Sequence, residues 1–191
     1  MMLQHALKEW AVICQALAEG KQSLILRKGG IEESGEEFRL EHTRFWLYPT
    51  YVHQQESGIK PAARPFLQEV ETQRPPDPVV RLSLFAEAAG VYVLHDIVGA
   101  MLLSPFHLWS DETIHSRFAY RQPGLYAIVL RVFRSREVFE VPNDPSYAGC
   151  RSWVTLDRDL PTEGATPVLS DGEFQDLVRR IERLLKPTAL A

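Results

Sequence analysis

The sequence predicts one α+β domain, built on a mixed, mostly antiparallel, bent sheet or partly closed β-barrel and packed by N-terminal and C-terminal helices. Short runs along the chain alternate apolar and polar residues as strands do, and Leu125–Phe133 is almost continuously apolar. Apolar residues recur at helical spacing near both ends. The 191 residues, 45% apolar, suffice for one sizeable core. The proline-rich segment 74–78 is the candidate internal boundary, and two half-domains joined there are the alternative.

The N-terminal segment predicts an amphipathic helix. Apolar residues recur there at steps of three and four: Leu3, Ala6, Leu7, Trp10, Ile13, Cys14 and Leu17. Gly20 follows the last of them and suits the left-handed residue that often ends a helix. We therefore expect one continuous helix up to this glycine.

Three strand-like runs follow, Leu24–Arg27, Phe38–His42 and Arg44–Tyr48. Gly29 and Gly30 allow a tight turn after the first run, and the glutamates that follow are typical of a solvated tip. Because the connections are short, we predict that the three runs pair as adjacent antiparallel strands.

The middle of the chain alternates strand and helix signals. Val79–Leu94 is strand-like but interrupted at Gly90, which predicts a hairpin or a bulged strand. Asp96 and Ser110 are expected to cap two helices. Leu125–Phe133 predicts a central strand, which we expect Arg134–Arg136 to end as a turn.

The C-terminal part predicts one more strand and one more helix. After the expected turn at Arg134–Arg136, Glu137–Val141 is predicted to pair back with the preceding strand. Residues 151–156 then alternate as a further strand. Ser170 and Glu173 have the spacing of a capping box. The helix behind them places one apolar stripe towards the sheet: Phe174, Leu177, Ile181 and Leu184.

Composition and charge narrow the function classes. The net charge of -4 argues against a protein that coats nucleic acid non-specifically, although it leaves room for a local basic site. The two cysteines, Cys14 and Cys150, form no disulfide framework. We expect no signal peptide, and no apolar run in the sequence reaches membrane-spanning length. We expect a soluble cytoplasmic protein whose oligomeric state the sequence leaves open.

One segment reverses the overall charge. No acidic residue occurs between Thr113 and Arg136, where arginines alternate with aromatic residues. Guanidinium groups beside aromatic rings suit phosphate binding and base stacking. The alternative is an ordinary surface cluster that pairs with nearby glutamates. Arg131 differs from the others because a cation in an apolar strand must find a partner or line a cleft.

A second basic stretch precedes the double glycine. Its cations and backbone N–H groups suit an anion, although a plain hairpin turn explains the same residues. We predict that both stretches converge on one cleft with His53 near its rim and Tyr120 stacking on a base. The predicted nucleic-acid-binding residues are Arg27, Lys28, Gly29, Gly30, His53, Arg117, Tyr120, Arg121 and Arg131.

Signals for catalysis, metal or cofactor are weak. Neither H-E-x-x-H nor paired cysteines and histidines at zinc-finger spacing occur, so we expect no metal and no cofactor. Cys150 beside Arg151 is either an activated thiol or, as we favour, a small buried residue. No catalytic residue is predicted.

Two resemblances add to this interpretation. G-K-Q-S-L-I-L-R-K-G-G-I, F-W-L-Y-P-T-Y-V-H-Q and Y-A-G-C-R-S-W resemble a bacterial family known as domain of unknown function 1802, from about Leu7 to Leu185. That family label implies no activity. The start of the first run also resembles the G-K-K-T-x-E-x-R motif of the ASCH branch of the PUA-like superfamily. The matching positions are Gly20, Lys21, Gln22, Ser23 and Arg27.

The ASCH resemblance departs from the motif at Ile25, where the motif has glutamate. It implies a PUA-like β-barrel that holds RNA or a modified nucleoside in a basic cleft. We therefore predict an RNA-binding module. The alternatives are a small enzyme acting on a nucleotide-like substrate and an interaction scaffold with an exposed apolar patch, for which Trp46 and Trp109 are the first candidates.

Overall fold

The computed structural model describes residues 1–28, 40–52, 54–144, 147 and 152–185. Seven strands and five α-helices are defined in these residues. The strands are β1 (Met2–Trp10), β2 (Leu24–Arg27), β3 (Arg44–Thr50), β4 (Val79–Leu94), β5 (Leu125–Pro142), β6 (Trp153–Pro161) and β7 (Thr166–Pro167). The helices are α1 (Ala11–Ala18), α2 (Arg64–Thr72), α3 (Ile97–Leu102), α4 (Asp111–Ala119) and α5 (Asp171–Leu185).

All seven strands form one sheet in the order β2-β5-β4-β3-β1-β6, with β7 paired to β5. Only β1 and β3 run parallel, and the other pairs are antiparallel. The long β4–β5 pair shifts register twice, between Leu82 and Leu84 and between Ala88 and Gly90, and such bulges bend a sheet. The predicted α+β class with a mixed, mostly antiparallel sheet is confirmed.

The core lies on both faces of this sheet. The larger cluster packs the sheet against α1, α2 and α5, and the smaller one fills the other face around Trp46, Phe85 and Leu82. Trp46 and Trp109 are both fully buried. The suggestion that these two tryptophans form an exposed apolar patch is therefore wrong.

The prediction of a helix from Leu3 onwards is wrong for its first half, which is β1. The reason is that both faces of this strand are covered. Ala6 packs into the smaller cluster and Leu7 into the larger one. A strand buried on both faces loses the alternation that identifies strands, and its apolar residues can then fall by chance at helical spacing.

The predicted pairing of the three early strands is also wrong. β2 pairs with β5, whereas β3 pairs with β4 and β1. Of the run Phe38–His42, residues 40–42 are not in a strand, and the first two lie outside the described residues. The preference for pairing neighbours in sequence is overridden because the long apolar β5 offers β2 a more deeply buried partner.

The expected turn at Arg134–Arg136 is absent. β5 runs through it, and the register shift beside Leu82 absorbs the extra residues as a bulge. The expected strand at residues 151–156 is found as β6, which starts at Trp153. The boundary at 74–78 stays a prediction.

The predictions that rest on a few neighbouring residues agree with the structure better than the predicted strand pairings do. The Gly90 interruption is a bulge within β4. The carboxylate of Asp96 accepts a hydrogen bond from the Gly99 N–H at 2.7 Å, and the Ser110 hydroxyl accepts one from the Thr113 N–H at 3.2 Å. No helix of the described residues is long and apolar enough to cross a membrane.

At the C-terminal helix, the capping box forms as predicted. Ser170 donates its N–H to Glu173 Oε2 at 2.8 Å, and the Glu173 N–H donates to the Ser170 hydroxyl at 3.3 Å. The apolar stripe is less buried than we expected. Ile181 is fully buried, Phe174 and Leu177 are half-buried, and Leu184 is 38% exposed.

This gradient along α5 predicts unequal costs of truncation. Ile181→Ala should lower the free energy of unfolding by about 2–5 kcal/mol, because a fully buried side chain leaves a cavity. Leu184→Ala, the matched control on the same stripe, should cost less than about 1 kcal/mol. Urea denaturation of the two variants measures both values. Equal costs would show that α5 packs differently.

Candidate nucleic-acid interface

Arg27, the last residue of β2, is held by three groups across the bend of the sheet. Its guanidinium donates to the Lys8 carbonyl at 3.0 Å and to the Ser152 hydroxyl just before β6. It also lies 3.5 Å from Glu9 Oε2, which is buried and has no hydrogen-bond partner among the described residues. β2 and β6 are the two ends of the strand order, so Arg27 connects β2 with the residue that precedes β6 at the opposite end of the sheet.

Lys28 holds the end of α4. Its ammonium donates to the carbonyls of Phe118 at 2.7 Å, Gly124 at 3.0 Å and Gln122. These are carbonyls at and after a helix C-terminus, where cations are favourable. Partial burial lowers the Lys28 pKa. The side chain therefore fixes the turn after α4 while keeping positive charge beside it.

Arg117, in the last turn of α4, lies over two indole rings. Its guanidinium carbon is 5.0 Å from the Trp10 ring centre and 4.9 Å from that of Trp109. Its hydrogen bond to a described residue is a long one, 3.4 Å to the Leu26 carbonyl. Burial lowers the Arg117 pKa, Glu9 opposes that change and Arg27 adds to it. Arg117 is thus held in place by stacking while most of its donors have no partner among the described residues.

Tyr120 and Arg121 extend this basic end into solvent. Tyr120 is 58% exposed, and the Arg121 guanidinium lies 5.3 Å from its ring centre. Arg121 has a positive φ of 60°, which turns the chain sharply after α4. The guanidinium lies over one face of this exposed ring.

The predicted site residues are therefore only partly brought together. Arg27, Lys28 and Arg117 meet where β2 and α4 end, and Arg121 follows directly. Arg131 lies elsewhere: it pairs with Asp171 at 2.6 Å and packs over Phe174, so it fastens α5 to β5. Gly29, Gly30 and His53 lie outside the described residues.

A pocket of about 320 Å³ opens beside Arg117. Its lining comes from the end of β1, the loop before α2 and one face of α4: Trp10, Gln55, Ser57, Gly58, Glu112, Thr113, Ser116 and Arg117. A Cβ on Gly58 would lie 2.9 Å from Trp10 Cη2, so glycine permits this close approach of loop and ring. Among these lining residues, Arg117 is the one that the sequence predicted as a site residue.

The sequence contains one signal for this pocket. The four α4 residues that line it are spaced as one polar helix face: Glu112, Thr113, Ser116 and Arg117. Trp10 had no such signal, because it was assigned to the apolar face of a helix.

Behind Arg117 lies a buried histidine. His107 is 2% exposed, and neither ring nitrogen has a hydrogen-bond partner among the described residues. Burial, Lys60 and Arg117 lower its pKa to about 3. The ring is therefore neutral at physiological pH and adds no charge to the site.

The described residues contain no group of three histidine, cysteine or acidic side chains that could hold a metal. Cys14 is buried, and burial raises its pKa well above the ordinary value, so its thiol is not activated. Cys150 lies outside the described residues.

Comparisons with known proteins find one family and one group of solved structures. The model of a family described as domain of unknown function DUF1802 matches residues 6–180. A comparison with curated proteins finds no match. The solved structures include the ASCH protein of Zymomonas mobilis, at 15% identity and a TM-score of 0.44, covering 92% of this chain and 93% of that one. A mutant form has the same identity and TM-score, with 92% and 94% covered.

The segment Gly20–Arg27 resembles the motif of the ASCH branch, and these solved structures carry the same name. At this TM-score the likeness carries no argument about residues or activity.

The Arg27–Glu9 pair predicts a large cost for removing its cation. Arg27→Ala should lower the free energy of unfolding by about 3 kcal/mol, because the buried Glu9 carboxylate loses its counter-charge. Arg81→Ala is the matched control, since its partner Glu140 is exposed, and it should cost less than about 1 kcal/mol. Chemical denaturation measures both. Adding Glu9→Gln to Arg27→Ala should recover part of the loss, and strict additivity would contradict this account.

The buried imidazole predicts a loss of stability in acid. The folded-state pKa of His107 is about 3, below the ordinary value of 6.5, so protons bind the unfolded chain more tightly. The contribution is complete above about pH 6.5 and is lost as the pH falls from there towards 3. In urea titrations, His107→Leu should flatten the decline between neutral pH and about pH 5. An unchanged decline would show that the ring is hydrated or paired.

Proposed function

This chain belongs to the DUF1802 family, and we propose that it is a single-stranded RNA-binding module whose contact surface is the basic end formed by β2 and α4. One observation carries the proposal. Arg117 is held over two tryptophan rings at the edge of a pocket with most of its donors unpaired among the described residues. A cation fixed in this way loses little entropy when it contacts a phosphate or a base.

The local charge supports the same conclusion. Arg27, Lys28 and Arg117 meet at this end and Arg121 follows α4 directly, whereas Glu9 and Glu112 are carboxylates of its core and pocket. In a chain of net charge -4 this is a local reversal. Phosphate neutralisation supplies much of the affinity for nucleic acid, so the RNA backbone is attracted here rather than to the rest of the surface.

The exposed Tyr120–Arg121 pair supplies what a single strand needs besides charge. An aromatic face beside a guanidinium stacks unpaired bases without regard to their identity. A duplex hides its base faces, so this feature favours single-stranded over double-stranded RNA.

The cations have different roles in this proposal. Arg27 and Lys28 donate hydrogen bonds to backbone carbonyls, so they stabilise the structure of the surface. Their contribution to RNA binding is long-range electrostatic attraction of the phosphates. Arg117 and Arg121 are the cations with capacity to contact RNA directly. Of the four cations predicted to converge on one cleft, the proposal therefore assigns direct RNA contact to these two.

Two variants separate the phosphate from the stacking contribution. Arg121→Ala should weaken binding of single-stranded RNA of any sequence and reduce the salt slope by about 0.7, because one phosphate contact is lost. Tyr120→Ala should cost about 1–3 kcal/mol with little change in slope. Fluorescence anisotropy over a range of KCl concentrations measures both quantities.

Arg158→Ala is the matched control. Arg158 is exposed on β6, at the other end of the strand order from β2, and its loss should leave affinity and slope near those of the unmodified protein. If Arg121→Ala and Arg158→Ala have equal effects, the basic end is not the binding surface. Absence of binding to single-stranded RNA at low salt would rule out the function.

A further inference from the structure

The pocket beside Arg117 carries two opposite charges on one helix face. Glu112 and Arg117 both line it, five residues apart on α4, with the hydroxyls of Thr113 and Ser116 between them. A purely phosphate-binding pocket would not be lined by a carboxylate, because the two anions repel each other. A ligand that engages both residues needs a donor edge for Glu112 as well as an acceptor edge for Arg117.

Glu112 is available for such a role. It forms no hydrogen bond or ion pair with any residue that the structure describes, and it is exposed. A carboxylate has two oxygens in a fork that matches two parallel N–H donors. Asp111, its neighbour in the same helical turn, does not line the pocket.

Arg117 offers the complementary fork. Its bond to the Leu26 carbonyl engages one terminal nitrogen, and the remaining donors have no partner among the described residues. Guanidinium donors match two adjacent acceptors in a plane, and the O6 and N7 atoms of guanine are such a pair.

We propose that this pocket binds a single guanine base of the RNA, with Glu112 accepting from its N1–H and N2–H groups and Arg117 donating to its O6 and N7 atoms. The inference rests on the proposed RNA-binding function and adds a base preference to it. The volume of about 320 Å³ is at the small end of ligand pockets, which suits one nucleoside. Trp10 in the lining provides an aromatic surface for the base.

None of the other three bases matches both forks. Adenine places the N1 acceptor beside its amino group, so a carboxylate there meets a lone pair as well as a donor. Uracil has one N–H between two carbonyl oxygens. Cytosine offers an amino group but no second donor on that edge. Guanine alone among the four presents two adjacent donors and, on another edge, two adjacent acceptors.

Base analogues test this inference without disturbing the protein fold. An oligoadenylate with one central guanosine should bind about 10-fold more tightly than the plain oligoadenylate in fluorescence anisotropy. Inosine lacks the N2 amino group, and 7-deazaguanosine lacks the N7 acceptor. Each substitution should remove a large part of the preference.

A cycle with Glu112→Ala assigns the contact. In that variant the guanosine preference should fall, and inosine should bind as well as guanosine, because the partner of the amino group is gone. Asp111→Ala is the matched control and should keep the full inosine penalty. An inosine penalty that persists in Glu112→Ala overturns the assignment.

The outcomes separate this inference from the function it rests on. Equal binding of the four bases, or a preference for cytosine, overturns the guanine pocket but leaves RNA binding standing if the Arg121→Ala effect holds. Loss of all binding to single-stranded RNA overturns both.

Discussion

The contacts of Arg27 are the constraint on which the rest of the structure depends. This side chain leaves the edge strand β2 and reaches β1 and the residue before β6, on the far side of the strand order. No backbone ladder connects these ends within the described residues. The bend of the sheet is therefore stabilised at this point by one guanidinium and by the buried carboxylate of Glu9 that faces it.

Beside the Arg27–Glu9 pair lies Arg117, the cation that the proposed function depends on. Arg27 forms the ion pair with Glu9, and the same carboxylate also raises the pKa of Arg117 against the effect of burial. Stacking on two tryptophans holds Arg117 in place while most of its donors have no partner among the described residues. Aromatic rings contact a guanidinium through its faces and leave the N–H donors on its edge accessible. The cation is therefore fixed in position and still able to bind a ligand.

The sequence predicted what is encoded locally. The caps at Asp96, Ser110 and Ser170 were correct because each depends on a few neighbouring residues. Strand β1 was mistaken for helix because tertiary burial on both faces removed its alternation. The pocket could not be predicted because Trp10, Gly58 and α4 are distant in the chain, and the pairing of β1 with β3, which sets Trp10 opposite Thr50, helps to position Trp10 beside the other two. Long-range pairing of this kind leaves no short-range pattern to detect.

The position of β1 in the sheet has a consequence for how the chain folds. β1 is formed by the first residues, yet one of its neighbours is β6, so that Leu7 lies opposite Trp153. During synthesis this side of β1 has no partner until β6 has emerged. Closing so long a loop carries a high entropic cost, and sheets dominated by distant contacts form slowly. An unpaired apolar strand edge is exposed meanwhile, which is the condition under which nascent chains associate with one another.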